Sequence, residues 1–407
     1  MLKNNNRVFI HKKINNKYIK KNTTDFYKTI FSLFLAGFSA FSILYSIQPI
    51  LPIFSKIFYL TPFQSSLALS VSTISMALGT LFIASISNCI GRKQVMFVSL
   101  FLASLLTIIC SFSKNWFEIV FLRSLIGFSL SGITSIAIIY LSEEVEISIL
   151  PLCIGLYISG NTIGGFFGRL VSNIIIKYFS WNLVFILIGF FSLFISFLFF
   201  LNLPSSKNFT ISVLNFKILL KNLYKSFQTK LCIFLFLIGF FLMGSFVTLF
   251  NYIGYRLIIK PFSLNSVFIS FLSLIYLIGV YFSPKASFLS KKYGKINLLI
   301  GSFFLMILGI FLTYYNFLFL IIFGLFCFTS GFFLVHSTTS SWISFLSKKY
   351  QVEISSLYFF FYYLGSSLFG SIGGFFWFYW GWSGVFCVIN FMLTSCLIFI
   401  LLIKYDY

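Results

Sequence analysis

The chain has 407 residues, of which 59% are hydrophobic, 22% aromatic and only 9% charged. Soluble domains carry about 25% charged residues, so a chain this apolar cannot cover its surface with polar groups and is expected to be an all-α integral membrane protein. Its 29 Lys and Arg against 7 Asp and Glu give a formal charge of +22, yet these cations punctuate long apolar runs and form no basic face of the kind a nucleic-acid binder presents.

A spanning helix needs about 20 mostly apolar residues. Twelve such runs are predicted, at 29–53, 65–86, 94–112, 117–140, 150–174, 182–202, 231–254, 264–283, 296–315, 317–341, 354–377 and 384–403. Ahead of them lies a basic stretch, residues 1–28, rich in Asn and Lys and without the apolar core and cleavage site of a signal peptide; its composition predicts a disordered arm. The first run holds Tyr45 and Gln48, and the second leads through Asn88 into the loop Gly91-Arg92-Lys93. The fourth carries Arg123 about 10 Å inside its outer boundary, then Gly127, and runs out in Glu143 and Glu144. Arginine cannot shed its charge, so its presence at depth marks a functional residue or one that snorkels outward.

The fifth run reads Gly160-Asn161-Thr162-Ile163-Gly164-Gly165, followed by Gly168-Arg169. Gly160, Gly164 and Gly168 share one face and make a smooth stripe for close approach of a second helix. After the sixth run comes the longest interior polar stretch, residues 203–230, with Lys207, Lys217, Lys221, Lys225 and Lys230. Its Ile211, Leu214, Phe216, Ile218, Leu219 and Leu223 predict a helix lying on the membrane surface. This linker separates a six-helix half, 29–202, from a second half, 231–407. In the second half Asn251, Tyr252 and Tyr255 fall in the seventh run, Gly294 in the loop after the eighth, His336 in the tenth, and Tyr362 and Tyr363 in the eleventh.

The halves match each other in register. Leu156, Tyr157, Gly164, Tyr178, Trp181, Val184 and Phe185 meet Leu357, Tyr358, Gly365, Tyr379, Trp382, Val385 and Phe386, and the loop ending at Gly91 meets the one ending at Gly294. Two parallel six-helix repeats are an architecture of secondary transporters. Orientation follows from the cations, because Lys and Arg are retained on the cytoplasmic side. With both termini cytoplasmic, only Lys56, Lys114, Lys177, Arg256 and Lys260 fall on outer loops, and only Arg123 and Arg169 lie within the runs. The seven Cys are scattered without metal-ligand spacing and read as packing residues.

The loop Gly91-Arg92-Lys93 resembles the short cytoplasmic loop of the major facilitator superfamily, in which an Asp precedes the Gly, Arg and Lys. Here Asn88 stands at the Asp position, which leaves Glu143 or Glu144 as the acid for Arg92. Arg123-Ser-Leu-Ile-Gly127 is similar to that family's Arg-x-x-x-Gly on the fourth helix. The fifth run is similar to the Gly-Pro-x-x-Gly-Gly antiporter motif of its exporters, with Asn161 in place of Pro. The strings 44–52, 140–144, 155–161, 244–256 and 362–367 look like the arabinose-efflux and drug-efflux permeases of bacterial inner membranes.

The resemblance implies a multi-pass protein of the bacterial inner membrane, monomeric and without cofactor or nucleic-acid partner. Its expected activity is proton-coupled export of small molecules by alternating access. Asn88, Gly91, Arg92, Lys93, Gly127, Gly160, Gly164, Gly165, Gly168 and Gly294 are the expected conformational motif residues. The family lines its central cavity with helices 1, 4, 7 and 10. That makes Tyr45, Gln48, Arg123, Asn251, Tyr252, Tyr255 and His336 candidates, to which helices 5 and 11 add Asn161, Arg169, Tyr362 and Tyr363. Tyr252 and Tyr255 read equally well as part of an interfacial aromatic belt.

None of the seven acids lies mid-membrane, so His336, Glu143 and Glu144 are the candidates for carrying a proton. Two Arg in the membrane with no buried acid predict a positive cavity, suited to anionic or neutral cargo. An importer or facilitator of the same fold remains the alternative. A membrane-embedded enzyme would need His-x-x-x-His or paired acids, which two His and seven dispersed acids do not supply, and no phosphate-binding Gly-x-x-x-x-Gly-Lys loop is present for an ATP-driven pump.

Overall fold

The computed structural model describes residues 18–209, 216–227, 229–264, 272–346 and 350–406. Helix α1 (Thr24–Tyr45) starts on Thr23, whose hydroxyl accepts from Phe26 N–H at 3.2 Å and satisfies one of the donors a helix start leaves open. Pro49 and Pro52 lack the N–H that would continue it. The first crossing therefore breaks after Tyr45 into a 3₁₀ turn, Gln48–Ile50, and a short helix α2 (Leu51–Ile57), where a single helix over 29–53 is predicted.

Helix α3 (Pro62–Ile90) ends at Gly91, where φ is 114°, and α4 (Arg92–Cys110) begins at once. Only glycine adopts such a backbone without strain, and the turn needs no other residue. Helices α5 (Trp116–Glu144), α6 (Leu150–Tyr178) and α7 (Trp181–Asn202) complete the first half. The linker holds α8 (Phe216–Ser226), which takes up part of the expected surface helix; Ile211 and Leu214 lie outside the described residues.

The second half runs through α9 (Lys230–Ile258), a 3₁₀ turn (Leu272–Leu277) leading into α10 (Ile278–Tyr293), then α11 (Lys295–Leu312), α12 (Leu318–Phe345) and α13 (Gln351–Asp406). The eighth crossing thus ends ten residues later than predicted, because the helix carries Lys291 and Lys292 out to Gly294 before it turns. Among the described residues, eleven apolar helical segments are long enough to cross a membrane, the last of 55 residues. A helix that long would measure about 80 Å, over twice the bilayer core. At Gly381, with φ 57° and ψ −141°, α13 folds into two arms, which brings the crossings to the twelve expected.

The arm expected to be disordered through residue 28 is ordered over its last part. Ile19 is buried, donates its N–H to Glu144 O at 2.8 Å and accepts from Glu146 N–H at 3.1 Å. Two backbone bonds and one apolar side chain hold it against the end of α5, which composition alone does not reveal. Residues 1–17 of the arm lie outside the described residues.

The repeat reappears in the packing. Gly164 of α6 lies so close to α1 that a Cβ there would stand 2.0 Å from Phe38 O, and Gly365 of α13 lies equally close to α9, 2.0 Å from Phe240 O. Gly160 and Gly168 face Phe34 and Ser42 on the same side of α1, and Gly127 faces the backbone of Ser72. A side chain at Gly164 must push two backbones apart, so Gly164→Val is expected to reduce folded yield and melting temperature sharply in fluorescence-detected size exclusion. Gly301, whose added Cβ would meet nothing within 4 Å, is the insensitive control. The halves meet along α6 and α10, where Ser159 Oγ donates to Val280 O at 3.2 Å, and along α3 and α13, where Thr80 Oγ1 donates to Ser356 O at 3.3 Å.

Candidate functional site

A cavity lies between the halves. From the first half it is lined by Phe41 and Tyr45 of α1 and by Ile158, Asn161, Thr162, Gly165 and Arg169 of α6. From the second come Met243 and Phe246 of α9, Tyr276 of the 3₁₀ turn, Phe332, Phe333 and His336 of α12, and Tyr362 of α13. Of the residues singled out from sequence, Tyr45, Asn161, Gly165, Arg169, His336 and Tyr362 meet here. Tyr276 and the phenylalanines do not stand out in the sequence: they are a few among 22 Tyr and 61 Phe with no pattern to distinguish them from packing residues.

Arg169 dominates the electrostatics. Its side chain is buried, its Nε donates to Gln48 Oε1, and its Nη1 donates to Gly165 O at 2.8 Å. The guanidinium carbon stands 4.0 Å from the centroid of the Tyr45 ring and 4.5 Å from that of Tyr276, so one tyrosine from each half packs against it. Cation–π contact of this kind is worth roughly 2 kcal/mol when desolvated. The ion pairs among the described residues are Arg92–Glu143 and Lys207–Asp25, and no carboxylate faces Arg169.

Farther along α12, His336 Nδ1 lies 3.2 Å from Tyr358 Oη, and its ring stacks on Tyr362 with centroids 4.7 Å apart. The imidazole therefore sits against the cavity with one nitrogen oriented by a phenol. Tyr363 packs at right angles to Tyr362 and does not line the cavity.

Arg123 is not a cavity residue. It is fully buried, and its guanidinium donates to Ile43 O at 3.1 Å, Leu44 O at 2.9 Å and Ala68 O at 3.4 Å. The broken end of α1 leaves carbonyls without intrahelical donors, and Arg123 caps them, so its guanidinium does not snorkel outward. Asn251 and Tyr252 also turn away: Tyr252 Oη donates to Gly370 O at 2.8 Å, and Asn251 packs beside it. Tyr255 is half exposed on the outside of the bundle, as the aromatic-belt reading expects. Gln48 contributes by holding Arg169.

At the end of the bundle that carries the Gly91 and Gly294 turns, Arg92 forms a bidentate pair with Glu143, Nη2 to Oε1 at 2.7 Å and Nε to Oε2 at 3.0 Å. It also donates to Ser87 Oγ and to Ala84 O. The acid supplied by α5 thus serves where Asn88 cannot. Lys93 stacks over Phe200. Glu144 accepts from Asn208 N–H at 2.9 Å, and Lys207 pairs with Asp25 at 3.0 Å, which ties the start of the linker to both α5 and α1.

The family model described as Major Facilitator Superfamily matches residues 33–370. An "Uncharacterized transporter" of Buchnera aphidicola subsp. Schizaphis graminum (strain Sg) is 54% identical over 392 residues, covering 96% of this chain and 95% of the relative. The inner membrane transport protein YnfM of Escherichia coli (strain K12) is 43% identical over 383 residues, covering 94% of this chain and 92% of its own length. Among solved structures, the human organic anion transporter MFSD10 (TETRAN) shares the fold, with a TM-score of 0.73 at 14% identity over 92% of this chain and 99% of that one.

Proposed function

The chain belongs to the major facilitator superfamily and is a multi-pass membrane transporter, not an enzyme; from that premise we propose that it exports small anionic molecules by proton-coupled alternating access, with the cavity between its halves as the transport site. The supporting observation is Arg169, a buried cation facing that cavity with no protein carboxylate opposite it. A charge so placed is costly unless a counter-ion arrives, and the cargo is the natural source. The distribution of cations supports an orientation with both termini in the cytoplasm and the Arg92–Glu143 pair at the inner face of a bacterial inner membrane. The proposed working unit is a monomer, since the residues lining the cavity come from one copy of the chain.

Glu143 and Glu144 are both engaged at that inner face, which leaves His336, at the cavity wall beside Tyr358 and Tyr362, as the candidate proton carrier. His336→Gln keeps a hydrogen-bonding side chain beside Tyr358 but cannot charge. It is expected to flatten the pH dependence of exchange while leaving exchange itself measurable, and an unchanged profile removes His336 from the coupling scheme. The direct test of export is reconstitution in oriented vesicles. Cargo movement against a concentration gradient, driven by an opposing proton gradient and collapsed by a protonophore, is expected.

Import is the second reading, favoured by Asn161 standing where the antiporter motif has Pro. Accumulation in the same direction as the proton flux would establish it.

A further inference from the structure

The chemistry of the cavity wall narrows the cargo further, on the premise that this cavity is the transport site. A guanidinium has five N–H donors. Arg169 Nε and Nη1 have acceptors in Gln48 and Gly165, and the rings of Tyr45 and Tyr276 stand 4.0 and 4.5 Å from its guanidinium carbon. The charge faces the cavity, and no acid among the described residues lines that cavity. A planar carboxylate is the anion whose two oxygens suit the fork of a guanidinium.

The remaining wall fixes the rest of the molecule. Phe41, Phe246, Phe332 and Tyr362 present rings to the cavity, Met243 adds a polarisable thioether, and no acidic side chain lines it. One cation in such surroundings balances one negative charge; a second would be buried unpaired. Aromatic walls favour an aromatic body through edge and offset-stacked contacts worth about 0.5–1.5 kcal/mol each beyond burial.

We propose that the cavity takes an aromatic monocarboxylate, its carboxylate against Arg169 and its ring among the phenylalanines. Because the two tyrosines come from different halves, the bound carboxylate would sit at the point where the halves converge, and Tyr276 is the second-half residue that positions Arg169 for it.

The test is equilibrium binding of radiolabelled benzoate to the purified full chain in lipid nanodiscs, with unlabelled competitors. Cyclohexanecarboxylate keeps the charge without the ring, benzamide keeps the ring without the charge, and phthalate doubles the charge. Benzoate is expected to bind saturably, cyclohexanecarboxylate several-fold more weakly, and benzamide and phthalate at least tenfold more weakly. Arg169→Gln should abolish binding, and Tyr276→Leu, which removes one of the two rings beside the cation and serves if the first variant does not fold, should weaken it about tenfold. Absent benzoate binding, benzamide competing as well as benzoate, or folded Arg169→Gln retaining wild-type affinity would overturn the proposal. Counterflow in vesicles separates this from the transport reading. Benzoate that binds as described without being exchanged would refute the cavity as a transport site while leaving its ligand class in place. Exchange of other solutes that benzoate never inhibits would refute the class while leaving transport in place.

Discussion

Arg123→Met is expected to yield little folded protein, although the substitution is apolar and close in length and the residue lies in an apolar helix. Three carbonyls, those of Ile43, Leu44 and Ala68, lose a charged donor at once; Ile43 O keeps Ser46 Oγ and Ala68 O keeps Ser72 Oγ, so the loss falls hardest on Leu44 O. Hydrogen bonds to charged groups contribute about 1.5–3 kcal/mol each, and a buried acceptor left without a donor costs a comparable amount. The break in α1 is forced by Pro49 and Pro52, so the first two carbonyls cannot regain helical partners by straightening the chain. A net loss of about 3–5 kcal/mol would consume much of the stability of an ordinary protein. Arg123→Lys, with one point charge in place of a fork, should fall between. The readout is monodisperse yield and melting temperature in detergent, followed by ligand binding on whatever folds. A well-folded Arg123→Met that has lost only cargo binding would return Arg123 to the transport path.

Charge reversal at the Arg92–Glu143 pair should have the second largest effect, this time on turnover. Arg92→Glu places two carboxylates where a bidentate pair stood and removes the donors to Ser87 and Ala84. Repulsion there favours whichever conformational state separates α4 from α5, so a tenfold or greater loss in exchange rate is expected with benzoate or other cargo still bound. Combining Arg92→Glu with Glu143→Arg restores the attraction but not the bonds to Ser87 and Ala84, and recovery should be partial. Equal rates in the single and double variants would show that the pair's sign is irrelevant to turnover.

The all-helical fold and the number of crossings were legible in the sequence because bilayer length and long apolar runs set them directly. The partner of Arg92 was legible too, as the acids on α5 were the candidates left by Asn88. The role of Arg123 was not. Sequence places a charge at depth, but whether it meets cargo or a carbonyl depends on where a neighbouring helix ends, and that end was hidden inside a run that looked continuous from 29 to 53. Tyr276 was invisible for a different reason. It enters the site from a 3₁₀ turn of the second half, and only the meeting of two halves far apart in sequence brings its ring over Arg169.

The fold at Gly381 has a consequence for how the protein is made. Its two arms are joined with no intervening polar segment, and no Lys, Arg, Asp or Glu occurs between Glu353 and Lys404. Between Glu353 and Lys404 neither arm carries a charge that would orient it, and there is almost no hydrophilic chain to translocate. The final two helices are best suited to entering the bilayer together as a preformed hairpin, with Lys348 and Lys349 ahead of them and Lys404 at their end as the cationic guides to their direction. An insertion of charged residues beside Gly381 would be felt first during biogenesis, before any effect on the finished transporter.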